Sequence, residues 1–222
     1  MYTTGLDKIS IKTLLLIAIS LSVLNIINLY LGEPSWQITR LIDVDHESNI
    51  PTWFSSIILA IAALYAYECS ILIASRKNEK KLWQLMSIVL LGMSCDEVAM
   101  IHEHFAVVIN KYIIRSSAIR NSESFSFILG PIALLFIFWF AYRMNQCLAK
   151  SIKAKRFVFI GIAIYLLGAL GLEATASYFR YNSLELLLRA EYVLEELCEM
   201  TGVIIIIKGL KEQYGYLTTK EQ

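Results

Sequence analysis

Apolar residues in this chain run in six long stretches, at about 13–31, 52–75, 82–109, 127–142, 157–179 and 190–207, instead of alternating with polar ones. Each is close to the ~20 residues an α-helix needs to cross a hydrocarbon core. A helix apolar on all its faces lies in lipid or deep inside protein, not at a water surface. The pattern predicts an all-α, polytopic membrane helix bundle of six transmembrane helices, a single transmembrane domain filling residues 1–222. Lys8 and Lys12 precede the first stretch as in a signal peptide, but no small-x-small cleavage site follows before Gly32-Glu33-Pro34, so the segment reads as a retained helix.

Flanking charges orient the bundle. With the N-terminus inside, the cytoplasmic side carries Lys8, Lys12, Arg76, Lys77, Lys80, Lys81, Arg143, Lys150, Lys153, Lys155, Arg156, Lys208, Lys211 and Lys220, whereas the outer side has only Arg40, Lys111, Arg115, Arg120, Arg180 and Arg189. The positive-inside rule then puts both termini in the cytoplasm.

Composition agrees: 57% of residues are hydrophobic and 18% charged, against about 25% charged in soluble domains. A formal charge of +1 excludes nucleic-acid binding as the main activity, which needs concentrated Lys and Arg facing water. Cys69, Cys95, Cys147 and Cys198 all fall in or at the ends of spans, which argues against a disulfide framework.

The candidate chemistry lies in the acids. Stretches three, five and six hold Asp96, Glu97, Glu103, Glu173, Glu195, Glu196 and Glu199, with Glu191 near a rim, and no Lys or Arg occurs inside any of the six. An ionised side chain at mid-membrane costs about 2.5–3.5 kcal/mol on the insertion scale. These carboxylates are therefore expected to be protonated, hydrated in a cavity, or bound to a cation. Measured from the basic flanks at about 1.5 Å per residue, Asp96 lies about 22 Å deep, Glu173 about 26 Å, Glu195 about 20 Å and Glu199 about 14 Å. On an unbroken third helix Asp96 and Glu103 share one stripe, Glu97 and His104 an adjoining one, and His102 points elsewhere. On the sixth, Glu191, Glu195 and Glu199 form a line with Glu196 to one side. The outer loop Asp43-Val44-Asp45-His46-Glu47 is placed to lid the mouth or hold a second cation.

Carboxylates with imidazoles are the ligand set of zinc, manganese or iron, and a divalent metal would offset the buried charge. In that reading Asp96, His102, Glu103, Glu173, Glu195 and Glu199 are the ligands, and Glu196 and Glu97 move protons while the metal activates water or oxygen against a membrane lipid. Neither Glu-x-x-His nor His-Glu-x-x-His occurs, so three alternatives stay open. They are a proton or cation pathway, a structural acidic network, and a membrane partner subunit that acts by homo-oligomerising.

Other polar positions read as packing. Gly168, Gly171 and Thr175, and Cys95 with Ala99, have the spacing of small residues that let helices approach. Asn25 and Asn28 are expected to hydrogen-bond a neighbouring helix. Trp36, Trp53, Tyr112, Tyr178 and Tyr181 fit an outer aromatic belt.

The segment Ser94-Cys95-Asp96-Glu97-Val98-Ala99-Met100-Ile101-His102-Glu103, with Glu173 and the later Leu194-Glu195-Glu196-Leu197-Cys198-Glu199-Met200-Thr201-Gly202, resembles a pattern in uncharacterised bacterial multi-pass membrane proteins. Those carry an Asp-Glu…His-Glu helix and a later Glu-Glu…Glu-Met…Gly helix. The resemblance covers stretches three to six and implies a bacterial inner-membrane location. Ceramidase-like hydrolases hold zinc with three histidines, two of them on a late helix. Here no histidine follows His104.

Overall fold

In a computed structural model, residues 8–73, 77–114, 121–148 and 150–220 are described, apart from the side chains of 114, 121–129, 133, 173, 174, 177 and 220. Among these residues the chain is all-α, without a strand. The helices are α1 (Ile11–Tyr30), α2 (Trp36–Ile42), α3 (Ile50–Leu72), α4 (Lys77–Ala99), α5 (Ile101–Ile109), α6 (Asn121–Cys147), α7 (Ile152–Leu166), α8 (Glu173–Tyr181) and α9 (Glu185–Lys220). Two π-helical segments, Asn110–Ile114 and Leu167–Leu172, follow α5 and α7.

Among the described residues, four helical runs are long and apolar enough to cross a membrane: Ile11–Tyr30, Ile50–Leu72, Lys77–Ala99 and Ile152–Leu172. The protein is a membrane protein on this ground. Large apolar residues such as Leu16, Ile26, Leu64, Ile88 and Phe138 lie exposed on the outside of the bundle, where lipid rather than water covers them at no hydrophobic cost. Trp36, Trp53, Tyr112, Tyr178 and Tyr181 are exposed too.

The core is built on α3 and α9. Ile58, Leu59, Ala62, Tyr65 and Cys69 of α3 meet Trp83 and Met86 of α4 and Met200, Ile204, Ile207 and Leu210 of α9, all buried. Two antiparallel pairs, α3 with α4 and α7 with α9, join through the contact of α3 with α9.

The two pairs are held differently. Hydrogen bonds stitch α3 to α4: the Ser56 and Ser94 hydroxyls each donate to the other's backbone carbonyl at 2.8 Å, and the Ser87 hydroxyl donates to the Ala63 carbonyl at 2.9 Å. Glycines bring α7 against α9. A Cβ at Gly161 would stand 2.6 Å from the Gly202 carbonyl oxygen, one at Gly202 2.6 Å from Tyr165 N, and one at Gly168 2.8 Å from the Glu195 carbonyl oxygen. Gly168 thus plays the close-approach role expected of it, whereas the nearest atoms to a Cβ at Gly171 belong to Leu167 on its own turn. Cys95 and Ala99 are exposed and line no helix interface here.

One expectation about continuity is corrected, and two stretches belong to longer helices than expected. The stretch 82–109 is not one helix, because Met100 takes a left-handed conformation (φ 50) between α4 and α5. The stretch 157–179 lies within a helical run that continues from α7 into α8 through the π-helical segment that carries Gly168. The stretch 190–207 is the middle of α9, whose 36 residues reach about 54 Å at the usual helical rise, well beyond a bilayer core. The loop after α1 also gains structure, since α2 lies within it. Asn25 and Asn28 hydrogen-bond that neighbouring helix and its end, as expected of them: Asn28 Nδ2 donates to Thr39 Oγ1 at 3.0 Å, and Asn25 Nδ2 to the Ile42 carbonyl at 3.3 Å and to Asp43 Oδ1 at 3.1 Å.

Candidate functional site: an acidic inlet at one end of the bundle

The break at Met100 creates the first element of the site. Asp96, in the last turn of α4, accepts from the His102 backbone N–H at 2.8 Å through Oδ1, and its Oδ2 lies 2.7 Å from His102 Nδ1. The first N–H groups of a helix have no partner within it, and here a carboxylate from the preceding helix supplies one to α5. His102 does not point away from Asp96, as an unbroken helix would require. The left-handed Met100 rotates α5 so that backbone and ring both meet the carboxylate.

The second element comes from the loop 43–49. Asn49 caps α3, its Oδ1 accepting from Thr52 N at 3.1 Å, and Pro51 sits in the first turn, where its missing N–H costs nothing. Asn49 Nδ2 also donates to the Asp43 and His46 carbonyls. The loop is thereby wound over the start of α3, and Glu47 is turned inward and partly buried. Glu47 Oε2 is buried without a hydrogen-bond partner among the described residues. Burial first, then the Glu103 and Asp96 carboxylates, push the Glu47 carboxyl above the ordinary glutamate range, against the lowering influence of His102 and a Thr52 hydrogen bond.

The third element lies deeper. Glu97 is within electrostatic range of Glu199, Glu47 and Asp96. Glu196 is within range of Glu199, Glu97, Glu195 and Glu47. The Tyr165 hydroxyl hydrogen-bonds Glu199, with Glu97 and Glu196 nearby. Glu196 therefore belongs to the cluster and is not set aside from it. Glu191, expected near a rim, is only 3% exposed.

Two residues of the cluster, Tyr165 and Glu47, are not among the ligands and proton carriers expected from the sequence. Tyr165 was legible: a tyrosine buried in an apolar helix needs a partner for its hydroxyl. Counted from Arg156 it lies about 14 Å deep, the level of Glu199 counted from Lys208. Glu47 was visible only as part of a loop, and its inward turn depends on the Asn49 cap.

The family described as a domain of unknown function, DUF8692, matches residues 11–210. The chain belongs to the DUF8692 family. No curated protein and no solved structure matches the chain.

In this DUF8692 member the expected metal ligands are not gathered into one coordination group. Among the described residues no three His, Cys, Asp or Glu side chains stand close enough together to hold a metal ion. Asp96 and His102 are paired with one another, Glu103 is exposed beside Glu47, and Glu195 and Glu199 lie across on α9. Glu173 opens α8 directly after the π-helical segment, but its side chain is outside the described residues. What the arrangement offers is a cluster of half-buried groups: Asp96, His102 and Glu47 beside the break, and Glu97, Glu196, Glu199 and the Tyr165 hydroxyl with them.

Proposed function

We propose that this DUF8692 protein is a six-span bacterial inner-membrane protein, with both termini cytoplasmic, whose acidic inlet loads protons or small cations from the outer side as part of a transport or channel activity. The observation that carries this reading is that Glu97 and Glu196 each lie within electrostatic range of Glu47, of Glu199 and of each other, with the Tyr165 hydroxyl bonded to Glu199. No Lys or Arg occurs within the six apolar stretches. Chains of intramembrane acids are the usual equipment of proton paths.

The cluster stops at Tyr165. Beyond it α7 and α9 meet at Gly161 and Gly202 with no room for a Cβ, so an ion loaded from the mouth leaves only when those helices shift. The experiment is pH-dye flux in proteoliposomes under an imposed proton gradient. Flux in the wild type that is lost in both Glu97→Gln and Glu196→Gln supports the reading, and wild-type vesicles no leakier than protein-free ones overturn it.

A second reading, metal-dependent hydrolysis or oxidation of a membrane lipid with zinc, iron or manganese, is favoured by the Asp96–His102 pair. A carboxylate holding one imidazole nitrogen is how proteins orient a histidine that binds metal through the other. On that reading Asp96 orients His102 instead of ligating. Elemental analysis of the detergent-purified protein separates the two: a stoichiometric metal lost in Asp96→Asn selects the enzyme.

A further inference from the structure

The second large feature of the molecule is apolar. Between the α3/α4 and α7/α9 pairs on one side and α6 on the other lies a cavity of about 130 Å³. That is about ten times the 10–15 Å³ a single buried water needs. Met86 and Leu90 of α4, Phe136 and Phe140 of α6, and Ile162 and Tyr165 of α7 form its walls, and no polar surface faces it.

The cavity exists because α6 stands apart. That helix packs chiefly on α5 and touches α4 only lightly, whereas the serine-stitched and glycine-packed pairs close fully on themselves. Phe136 and Phe140 stack 6.0 Å apart with their rings 21° from parallel, a flat wall that does not reach across the gap. An empty space of this kind forfeits the dispersion contacts of every atom lining it. Water does not fill it, since a buried water needs two to four polar partners and apolar cavities stay dry. Three of the helices around it are among the membrane-crossing runs, so the medium that reaches its mouth is hydrocarbon.

We propose that this cavity holds one hydrocarbon chain of a bilayer lipid, seated against the Tyr165 ring on the wall opposite α6. Tyr165 belongs both to this wall and, through its hydroxyl, to the acidic cluster. A chain in the cavity therefore backs the ring and holds the hydroxyl toward Glu199. The inference stands on the cavity and is independent of whether the acids carry protons.

The test uses the full chain reconstituted in phosphatidylcholine vesicles containing a fraction of phosphatidylcholine with a diazirine on one acyl chain, irradiated and mapped by peptide mass spectrometry. The expected result is labelling concentrated on the cavity-facing residues of α4, α6 and α7, reduced tenfold or more by Val89→Phe or Ala141→Phe, which fill the space from its wall. Leu135→Phe, on the exposed side of α6, leaves the yield unchanged. Labelling no denser at Met86 and Phe140 than at the outward Ile88 and Leu135 overturns the proposal, as does undiminished cavity labelling in both filled variants. The wild-type map decides the question by itself should a filled variant not fold.

Discussion

Asp96 and His102 are linked twice, once through the His102 backbone N–H and once through its ring. The pair spans a break in the chain, so a residue at the end of one helix serves as the cap of the next. Removing the carboxylate leaves the start of α5 without this acceptor, and losing a helix cap costs about 0.5–2 kcal/mol. Asp96→Ala is expected to lower stability in detergent by about that amount, with Asp96→Asn losing less because its amide oxygen still accepts from the backbone. Thermal unfolding followed by circular dichroism reads both. Equal stability of Asp96→Ala and wild type would show that the break is held by something else.

Met100 carries the conformational cost of the same break. Its left-handed backbone (φ 50) is one a side chain adopts at a penalty of about 1–2 kcal/mol, while glycine adopts it freely. Met100→Gly is predicted to leave stability unchanged or raise it slightly, and Met100→Val to lower it by about 1–3 kcal/mol. The order of the two melting temperatures is the diagnostic.

Glycines that look alike in sequence differ in consequence. Nothing lies within 4 Å of a Cβ at Gly92, in the middle of α4, whereas Gly161 and Gly202 face backbone at 2.6 Å. Gly92→Ala should stabilise by about 0.5–1 kcal/mol through helix propensity. Gly161→Ala and Gly202→Ala should each force α7 off α9 and destabilise, with the double variant less than additive because both insert into one seam. Chemical or thermal denaturation of the four proteins in one detergent tests this ordering.

Glu47 supplies the pH dependence. Its carboxyl titrates above the ordinary glutamate value in the folded protein, so the folded state holds the proton more tightly than the unfolded one. The associated stability is fully present below about pH 4.3, the unfolded value, and is lost as pH rises through the raised folded value. Glu47→Gln should therefore melt higher than wild type at pH 7, by about 1–2 °C, and the difference should shrink toward pH 4. The groups facing Glu47 are Asp96, Glu97, His102, Glu103 and Glu196, and the comparison with Gln isolates its contribution from theirs. A constant offset at every pH would rule this account out.

The all-α membrane architecture was legible because twenty apolar residues in a row admit few other readings. What the pattern could not show is where a helix changes direction while staying apolar. Met100 is an ordinary helix former, and its left-handed backbone is imposed by tertiary context around Asp96 and His102, so the phase argument across 96–104 failed at that point. Gly168 betrayed the close packing of one pair, but the serine stitching between Ser56 and Ser94 needs the antiparallel register of two distant segments. The acids on α4 and α9 were recognisable as a group from charge and depth alone. Their company with Glu47 depends on how Asn49 winds a seven-residue loop, and a loop carries no periodicity from which direction can be read.

The two helix pairs divide the acidic cluster between them. Asp96 and Glu97 ride on α4, and Glu47 on the loop that opens α3, while Tyr165, Glu195, Glu196 and Glu199 belong to α7 and α9. Like charges that sit on opposite sides of a joint act as a spring across it. Each proton taken up by the cluster weakens the repulsion between the stitched pair and the glycine-packed pair, and each proton given up strengthens it. The protonation of the cluster and the force between the two halves of the bundle are thereby tied together.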